Sequence, residues 1–210
     1  MGVSVLILGH SGSGKSTSLR NFKEGEIGIF NTIGKPLPFR GKLPKIDNPT
    51  YTQMMASLAK NNLLAYAIDD AGYLMQMENI ERADEAGWGK YTDMQGKFAK
   101  LLKMANNASD DTITYFLMHP DYDAKGRMKA KTIGKLLDEK LCIEGMFPIV
   151  LIAERTDSGY CFTTQTDGNT PAKSPMGMFD DMHIDNDLKA VDSAIRSYWD
   201  MKPLKDEKDG

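Results

Sequence analysis

The feature that most constrains this chain is a glycine-rich segment near its start. Residues 9–17 are Gly-His-Ser-Gly-Ser-Gly-Lys-Ser-Thr, which fits the spacing G-x-x-x-x-G-K-[ST]. The apolar run Val3–Leu8 precedes this segment, as a buried parallel strand would. The residues that follow predict a helix that begins at Ser16 and ends before Gly25. A strand, a glycine-rich turn and a helix in this order are typical of a phosphate-binding loop.

The residue types in this segment each have a chemical role in holding phosphate. Glycines let the backbone turn tightly, so that successive N–H groups point at phosphate oxygens. The helix that follows adds the positive end of its dipole. We expect Lys15 to contact the β- and γ-phosphates and to act in catalysis, and the Ser16 hydroxyl to bind Mg²⁺. The predicted cofactors are ATP, with GTP left open, and Mg²⁺, and the predicted nucleotide-binding residues are Gly9, His10, Ser11, Gly12, Ser13, Gly14, Lys15, Ser16 and Thr17.

A second apolar run, residues 63–70, ends in two carboxylates, Asp69 and Asp70. After a phosphate-binding loop this is the expected form of the Walker B motif, in which a buried strand carries an Asp to the metal at its carboxyl end. We predict that Asp69 lies on the metal side and acts through a metal-bound water. Asp70 is a candidate catalytic residue that orients the attacking water, and the alternative is that it caps the next helix.

His119 follows a third apolar run, residues 112–118. If that run is a strand of the same sheet, His119 lies at the edge where Lys15 and Asp69 are expected. A polar residue there can sense the γ-phosphate and pass its presence to the next loop. The alternative is a histidine that merely ends the strand.

Two segments contain basic or aromatic residues that could contact nucleic acid. Trp88 lies between two glycines, near Lys90. Residues 121–135 contain five basic and two acidic residues, whereas the whole chain has a net charge of −3. We predict that single-stranded DNA contacts Trp88, Lys90, Lys125, Arg127, Lys129 and Lys131. A solvated helix face and a plain surface hairpin are the alternatives.

The rest of the chain predicts an α/β succession. Residues 33–49 contain four prolines, so we predict no regular element there, and a solvated surface loop that carries Lys35 is favoured. Thr50 and Thr92 each begin a capping-box pattern. Further predicted helices cover residues 71–86, 135–144 and 187–199, and further strands cover residues 26–30, 147–153 and 160–164, the last two forming an antiparallel hairpin at the sheet edge.

Length and composition bound the class of protein. The 210 residues suit one domain, residues 1–200, followed by a charged tail, residues 201–210. The two cysteines, Cys142 and Cys161, imply no disulfide framework, so we expect a reducing cytoplasm. The first strand begins at residue 3, which leaves no room for a signal peptide, and no apolar run approaches 18 residues, so we expect no membrane contact.

Four features together resemble a known family: residues 9–17, the Asp69-Asp70 pair, the strand that ends before His119, and the basic loop with its trailing hairpin. The chain is similar to the small single-domain RecA-like ATPases of bacteriophages, in the AAA-type P-loop group. Residues 131–138 and 172–179 also resemble that group. The resemblance implies a single α/β P-loop NTPase domain with a RecA-like, mostly parallel sheet, flanking helices and an antiparallel edge hairpin.

The resemblance also implies a function. Some members of the group act with ATP in single-strand annealing or recombination, so it implies a role in DNA recombination, annealing or replication in the host cytoplasm. It further implies single-stranded DNA, a homo-oligomer with nucleotide at the subunit interfaces, and a single-strand-binding protein as partners. Lys173 is the candidate for a residue that completes the site of the neighbouring subunit.

One departure from RecA keeps other functions open. RecA has a catalytic Glu at the end of the second strand, where this chain has Asn31-Thr32. Catalysis could therefore be slow or could depend on Asp70. The alternatives are a nucleotide-gated binding module with little turnover, and a P-loop kinase acting on a nucleotide or small molecule. A kinase would need an arginine-rich lid, and the basic segment contains Arg127 as its one arginine.

Overall fold

The structure is a computed structural model that describes residues 2–134, 141–157 and 159–204. Within these residues the apolar runs form one eight-stranded sheet, and two further strands form a separate pair. The strands are β1 (Val3–Leu8), β2 (Gly28–Asn31), β3 (Lys45–Asp47), β4 (Ala65–Asp69), β5 (Ile113–Met118), β6 (Pro120–Tyr122), β7 (Met128–Ala130), β8 (Ile149–Thr156), β9 (Gly159–Thr163) and β10 (His183–Asp185). The α-helices are α1 (Tyr51–Lys60), α2 (Tyr73–Glu81), α3 (Gly89–Asn106) and α4 (Leu188–Tyr198), and 3₁₀ helices cover Ser16–Asn21 and Ile143–Met146.

The strand order across the sheet is β10-β9-β8-β1-β5-β4-β2-β3. The strands from β8 to β3 pair in parallel, and β9 and β10 are antiparallel additions at one end. β6 and β7 form a separate two-stranded hairpin. The prediction of an α/β fold with a mostly parallel sheet and an antiparallel hairpin is therefore confirmed.

Helices cover both faces of the sheet, because its central strands are apolar on both sides. On one face, α1, α2 and α3 bury residues such as Met54, Met75 and Phe98 against Phe116 of β5. On the other face, α4 and the first 3₁₀ helix bury an apolar stripe against β1 and β5, with Leu19, Val191 and Ile195 among its residues. None of the helices in residues 2–134, 141–157 and 159–204 is long and apolar enough to cross a membrane.

A buried arginine fixes α4 to the amino-terminal end of the sheet. Arg196 is 3% exposed and pairs with Asp192 one turn earlier. Its guanidinium group also donates to the carbonyl oxygens of Leu64, Asp111 and Lys202, each at 2.8 Å. These bonds join α4 to the segments that precede β4 and β5 and to the chain after α4.

One helix type and one helix start differ from the sequence prediction. The helix that begins at Ser16 is a six-residue 3₁₀ helix rather than an α-helix, and it ends at Asn21. The capping box at Thr50 is confirmed, because Thr50 and Gln53 exchange the expected bonds at the start of α1. The box at Thr92 is wrong: α3 already begins at Gly89, and no side chain caps it. Thr92 therefore lies inside the first turn of α3.

Two short edge strands were not predicted. β3 lies within the proline-rich loop and pairs in parallel with β2. Its three residues fall between Pro44 and Pro49, and an edge strand tolerates prolines beside it because one side of its backbone needs no partner. β10 covers the β8–β9 hairpin, so the hairpin lies next to the sheet edge rather than at it. Residues 135–140 of the predicted helix 135–144 lie outside the described residues, and residues 143–146 form a 3₁₀ turn.

The carboxyl ends of β1, β4 and β5 meet at one edge of the sheet. The amide of Gly9, just after β1, donates to the carbonyl of Met118 in β5 at 3.2 Å, and the amide of Ala71, after β4, donates to the carbonyl of Leu117 at 2.8 Å. In α/β sheets, ligands bind beyond this edge. The three segments with chemically informative residues are therefore adjacent.

Candidate functional site

Residues 9–17 fold into a loop that wraps over the end of β1. Gly12 and Gly14 have φ angles of 78° and 94°, which side-chain-bearing residues rarely adopt. A Cβ atom on Gly9 would lie 2.3 Å from the Ser13 hydroxyl and 2.5 Å from the carbonyl of Ala153. Glycine is therefore required at these positions for conformational and steric reasons, as a loop that folds closely around phosphate would require.

Lys15 is folded back over this loop. Its side chain is 5% exposed, and its ammonium group donates to the carbonyls of Gly9 at 2.7 Å and His10 at 2.9 Å. Burial lowers the pKa of Lys15 from 10.5 to about 8, although Asp70 and Asp69 nearby favour the charged form. The cleft therefore holds a poorly solvated cation that an incoming anion would stabilise.

Ser16 and Asp69 meet across the cleft, although 53 positions separate them in the sequence. The Ser16 hydroxyl donates to Asp69 Oδ1 at 2.7 Å, and Asp69 is 1% exposed. Burial raises the pKa of Asp69, and the Ser16 hydrogen bond opposes this only in part. A hydroxyl and a buried carboxylate are hard oxygen ligands, and a divalent cation would stabilise the carboxylate charge. These residues fit a Mg²⁺ ion.

Asp70 is held by two basic side chains. It has a φ angle of 59°, a left-handed conformation that aspartate tolerates better than most residues. Lys35 forms an ion pair with Asp70 Oδ2, and His119 Nε2 lies 3.4 Å from Oδ1. Burial alone would raise the pKa of Asp70, but the hydrogen bonds from His119 and Lys35 outweigh it and lower the pKa to about 2. In this arrangement Asp70 is a weak base.

A cleft of about 440 Å³ contains most of these groups. Its volume is suited to a small organic ligand. Of the predicted site residues, it brings together Lys15, Ser16, Asp70 and His119 with much of the glycine-rich loop. The residues that line it are Ser11, Gly12, Gly14, Lys15, Ser16, Thr17, Lys35, Pro36, Pro38, Asp70, His119 and Tyr160.

Several of the residues that line the cleft were not predicted from the sequence. Lys35, Pro36 and Pro38 come from the proline-rich loop, for which a solvated surface was favoured. Tyr160 comes from β9, which the fold brings to the side of the cleft formed by Gly14. The length of the proline-rich loop is the one sequence signal that could have indicated Lys35, Pro36 and Pro38, since long loops in compact domains are often functional.

Asn186 lies behind the glycine-rich loop. Its side chain is buried, and within the described part of the chain both of its amide atoms lack a hydrogen-bond partner. A Cβ atom on Gly14 would lie 3.1 Å from these two atoms. The backbone carbonyl of Asn186 accepts a hydrogen bond from Arg20. Asn186 therefore packs against the loop at the point where Gly14 turns.

The β6–β7 hairpin is joined to the cleft in two places. It begins directly after His119, which contacts Asp70. A 2.8 Å hydrogen bond joins the Tyr122 hydroxyl to His10 Nε2, and the two rings stack with centroids 6.0 Å apart. A change in the glycine-rich loop would therefore reach the hairpin through His10, and a change at Asp70 would reach it through His119.

The predicted DNA-contacting residues have different environments. Lys125 and Arg127 are exposed on the hairpin, and Arg127 pairs with Asp123 at 2.7 Å. Lys129 is partly buried in β7, and Lys131 is exposed just after it. Lys90 is buried, and its ammonium group donates to the carbonyl of Arg82 at 2.9 Å, so the structure does not present it to a ligand.

Trp88 is 74% exposed. Its ring centroid is 6.1 Å from that of Tyr91, and one turn further along α3 Gln95 donates to the carbonyl of Ile133 at 2.8 Å.

Lys173 is not among the residues that line the cleft. It forms an antiparallel bridge with Val150, with backbone hydrogen bonds of 2.8 and 2.9 Å.

Comparison with protein-family models gives no match for this sequence, and comparison with curated proteins gives none either. The function is therefore inferred from the residues of the cleft and the surfaces joined to it.

Proposed function

We propose that this chain is a Mg-ATP-binding P-loop ATPase of the RecA-like phage type, which binds single-stranded DNA and acts in DNA recombination, annealing or replication. One observation carries the proposal: the glycine-rich loop places Lys15 and Ser16 beside Asp69, with Ser16 and Asp69 2.7 Å apart. A cation, a hydroxyl and a buried carboxylate around a glycine-rich turn are the groups that a Mg-bound triphosphate requires.

Lys15 has a direct role in phosphate binding. Its ammonium group now donates to the carbonyls of Gly9 and His10, which are weaker partners than an anion. A γ-phosphate in the cleft would replace these acceptors and keep Lys15 charged. Ser16 and Asp69 would hold Mg²⁺, which neutralises charge on the phosphates when bound. The backbone N–H groups of the loop would bind the remaining phosphate oxygens.

The low pKa of Asp70 leads us to expect slow hydrolysis. A base that activates water is most effective when its pKa lies near the working pH, whereas Lys35 and His119 keep the pKa of Asp70 at about 2. At the end of β2, the Asn31 amide donates to the carbonyl of Lys35 and to the carboxylate of Asp47. These hydrogen bonds hold the proline-rich loop and leave the amide group engaged there rather than at an attacking water. These contacts favour a second candidate function, a nucleotide-gated binding module with little turnover.

The DNA-binding part of the proposal rests on the hairpin. Lys125 and Arg127 are exposed on it, and Tyr122, the last residue of β6, contacts His10 of the glycine-rich loop. Exposed Trp88 offers a face on which a base could stack. Nucleotide in the cleft would thus change how the hairpin is held and hence its affinity for single-stranded DNA. Lys173 would act only in an oligomer, on the site of a neighbouring subunit.

The test is ATP hydrolysis by wild type and Lys15→Ala, with and without single-stranded DNA, at low and at physiological salt. Lys60→Ala removes an exposed lysine at the end of α1 and serves as the matched control. We expect hydrolysis that DNA stimulates in wild type and Lys60→Ala and that Lys15→Ala abolishes. Hydrolysis unaffected by DNA would refute the DNA part, and negligible wild-type turnover with intact ATP binding would favour the binding module.

A further inference from the structure

One face of the outer three strands, β8, β9 and β10, carries a cluster of metal-ligating residue types. Glu154 of β8 lies opposite Cys161 of β9, and Thr163 of β9 lies opposite His183 of β10. Paired residues share a face of a sheet, and so do residues two apart on one strand. The pairing registers therefore place a carboxylate, a thiol, a hydroxyl and an imidazole together.

The side chains of this cluster converge. One ligand atom each from Glu154, Cys161 and His183 lie within 4.8 Å of one another. Glu154 and Cys161 are partly buried and His183 is exposed, so an ion can enter from solvent. Cys161 is a free thiol. Asp185 lies opposite Cys161 on the adjacent strand and adds negative charge to the same face.

Thr163 orients two of these groups. It is 4% exposed, and its hydroxyl bonds both to Glu154 Oε1 and, at 3.0 Å, to His183 Nδ1. A hydroxyl has one proton, and the carboxylate can only accept, so the proton goes to Glu154. Thr163 must then accept from Nδ1–H of His183. This fixes the tautomer in which Nε2 has its lone pair free, as outer hydrogen bonds do for metal-binding histidines.

We propose that Glu154, Cys161 and His183 form a binding site for a divalent transition-metal ion of the zinc type. Thiolate and imidazole are ligands that zinc prefers and that Mg²⁺ does not. Three protein ligands leave one position of a tetrahedral site for water. Zinc–ligand bonds of about 2.0–2.3 Å place the ligand atoms about 3.5 Å apart, so ligand atoms that lie within 4.8 Å of one another would close in by about 1.3 Å at most. The bound ion would cross-link β8, β9 and the three-residue strand β10.

The test is a titration of the full chain with Co²⁺, and then Zn²⁺, with Mg²⁺ present and nucleotide absent. Co²⁺ bound to a thiolate gives a charge-transfer band in the near ultraviolet. We expect one Co²⁺ per chain with this band, displaced by Zn²⁺, and Zn²⁺ should raise the melting temperature of the wild type. Thr163→Val should weaken binding by about 10- to 100-fold without removing the band.

The second cysteine provides the matched control. Cys142 lies beside the carboxylate of Glu144 at 3.4 Å, but it is outside the Glu154, Cys161 and His183 cluster. Cys142→Ser should leave the band and the affinity unchanged, whereas Cys161→Ser should remove the band. His183→Ala changes an exposed side chain and should weaken binding in a folded protein. No band in wild type, a band that persists in Cys161→Ser, or loss of the band in Cys142→Ser would overturn the proposal.

Discussion

Replacing Lys15 by Met should stabilise the nucleotide-free protein at pH 7 while it abolishes nucleotide binding. Lys15 is 5% exposed, and burial lowers its pKa from 10.5 to about 8. At pH 7 it is charged in both the folded and the unfolded state, so the whole cost of burying that charge, about 3 kcal/mol, falls on the folded state. Loss of the bonds to Gly9 and His10 offsets about 1–2 kcal/mol of the gain. We expect a net stabilisation of about 1–2 kcal/mol.

The advantage of Lys15→Met should disappear as the pH rises. Because the folded-state pKa of Lys15 lies below the unfolded one, the unfolded wild type binds more protons between pH 8 and 10.5. Wild-type stability therefore rises with pH through this window relative to the variant. At pH 9.5 the wild type should have regained about 2 kcal/mol of its pH 7 deficit. The other titrating groups are common to both proteins and cancel in the comparison.

The assay is urea unfolding of both proteins at pH 7 and pH 9.5, in buffers free of phosphate and sulfate. The difference in unfolding free energy should favour Lys15→Met at pH 7 and should fall to near zero or change sign at pH 9.5. A variant that is less stable than wild type at pH 7 would refute the account of Lys15 as a buried, poorly solvated cation. A difference in unfolding free energy that does not change with pH would refute it as well.

Three further outcomes are expected. Gly9→Ala should weaken ATP binding at least tenfold, measured by calorimetry, because its Cβ would lie 2.3 Å from the Ser13 hydroxyl; unchanged binding would contradict the loop geometry. Arg196→Met should destabilise the fold by about 3 kcal/mol in urea unfolding, because buried Asp192 keeps its hydrogen bond from Tyr115 but loses its counter-ion, and a loss no larger than in the exposed-arginine control Arg155→Met would contradict this. Trp88→Ala should weaken single-stranded DNA binding about tenfold in a fluorescence titration, whereas Trp199→Ala, directly after α4, should not; equal effects would count against the proposed surface.

The centre of the fold could be predicted from the sequence because its signals are local. The apolar runs of β1, β4 and β5 are buried on both faces, so each is visible as an uninterrupted run. The spacing from Gly9 to Ser16 requires a tight turn at the end of β1. Given parallel strands, Asp69 and His119 then had to lie at the same sheet edge as Lys15, and the structure places them there.

The rest depends on contacts between distant segments. β3 and β10 have three residues each, too few to show a period of two. Lys35 lies in a loop with many prolines, and only its ion pair with Asp70 distinguishes it from the other lysines of that loop. Lys90 is buried where its ammonium group donates to the carbonyl of Arg82, eight residues earlier in the chain. None of these pairings leaves a repeating pattern in the sequence.

The most direct test of the central claim is calorimetric titration of Mg·ATP into wild type and Lys15→Ala at pH 7. The arrangement of Lys15, Ser16 and Asp69 predicts one site per chain in the wild type, binding that requires Mg²⁺, and at least a hundredfold loss in Lys15→Ala. Absence of binding in wild type, or binding of equal strength in Lys15→Ala, would contradict the assignment of this cleft as a nucleotide site.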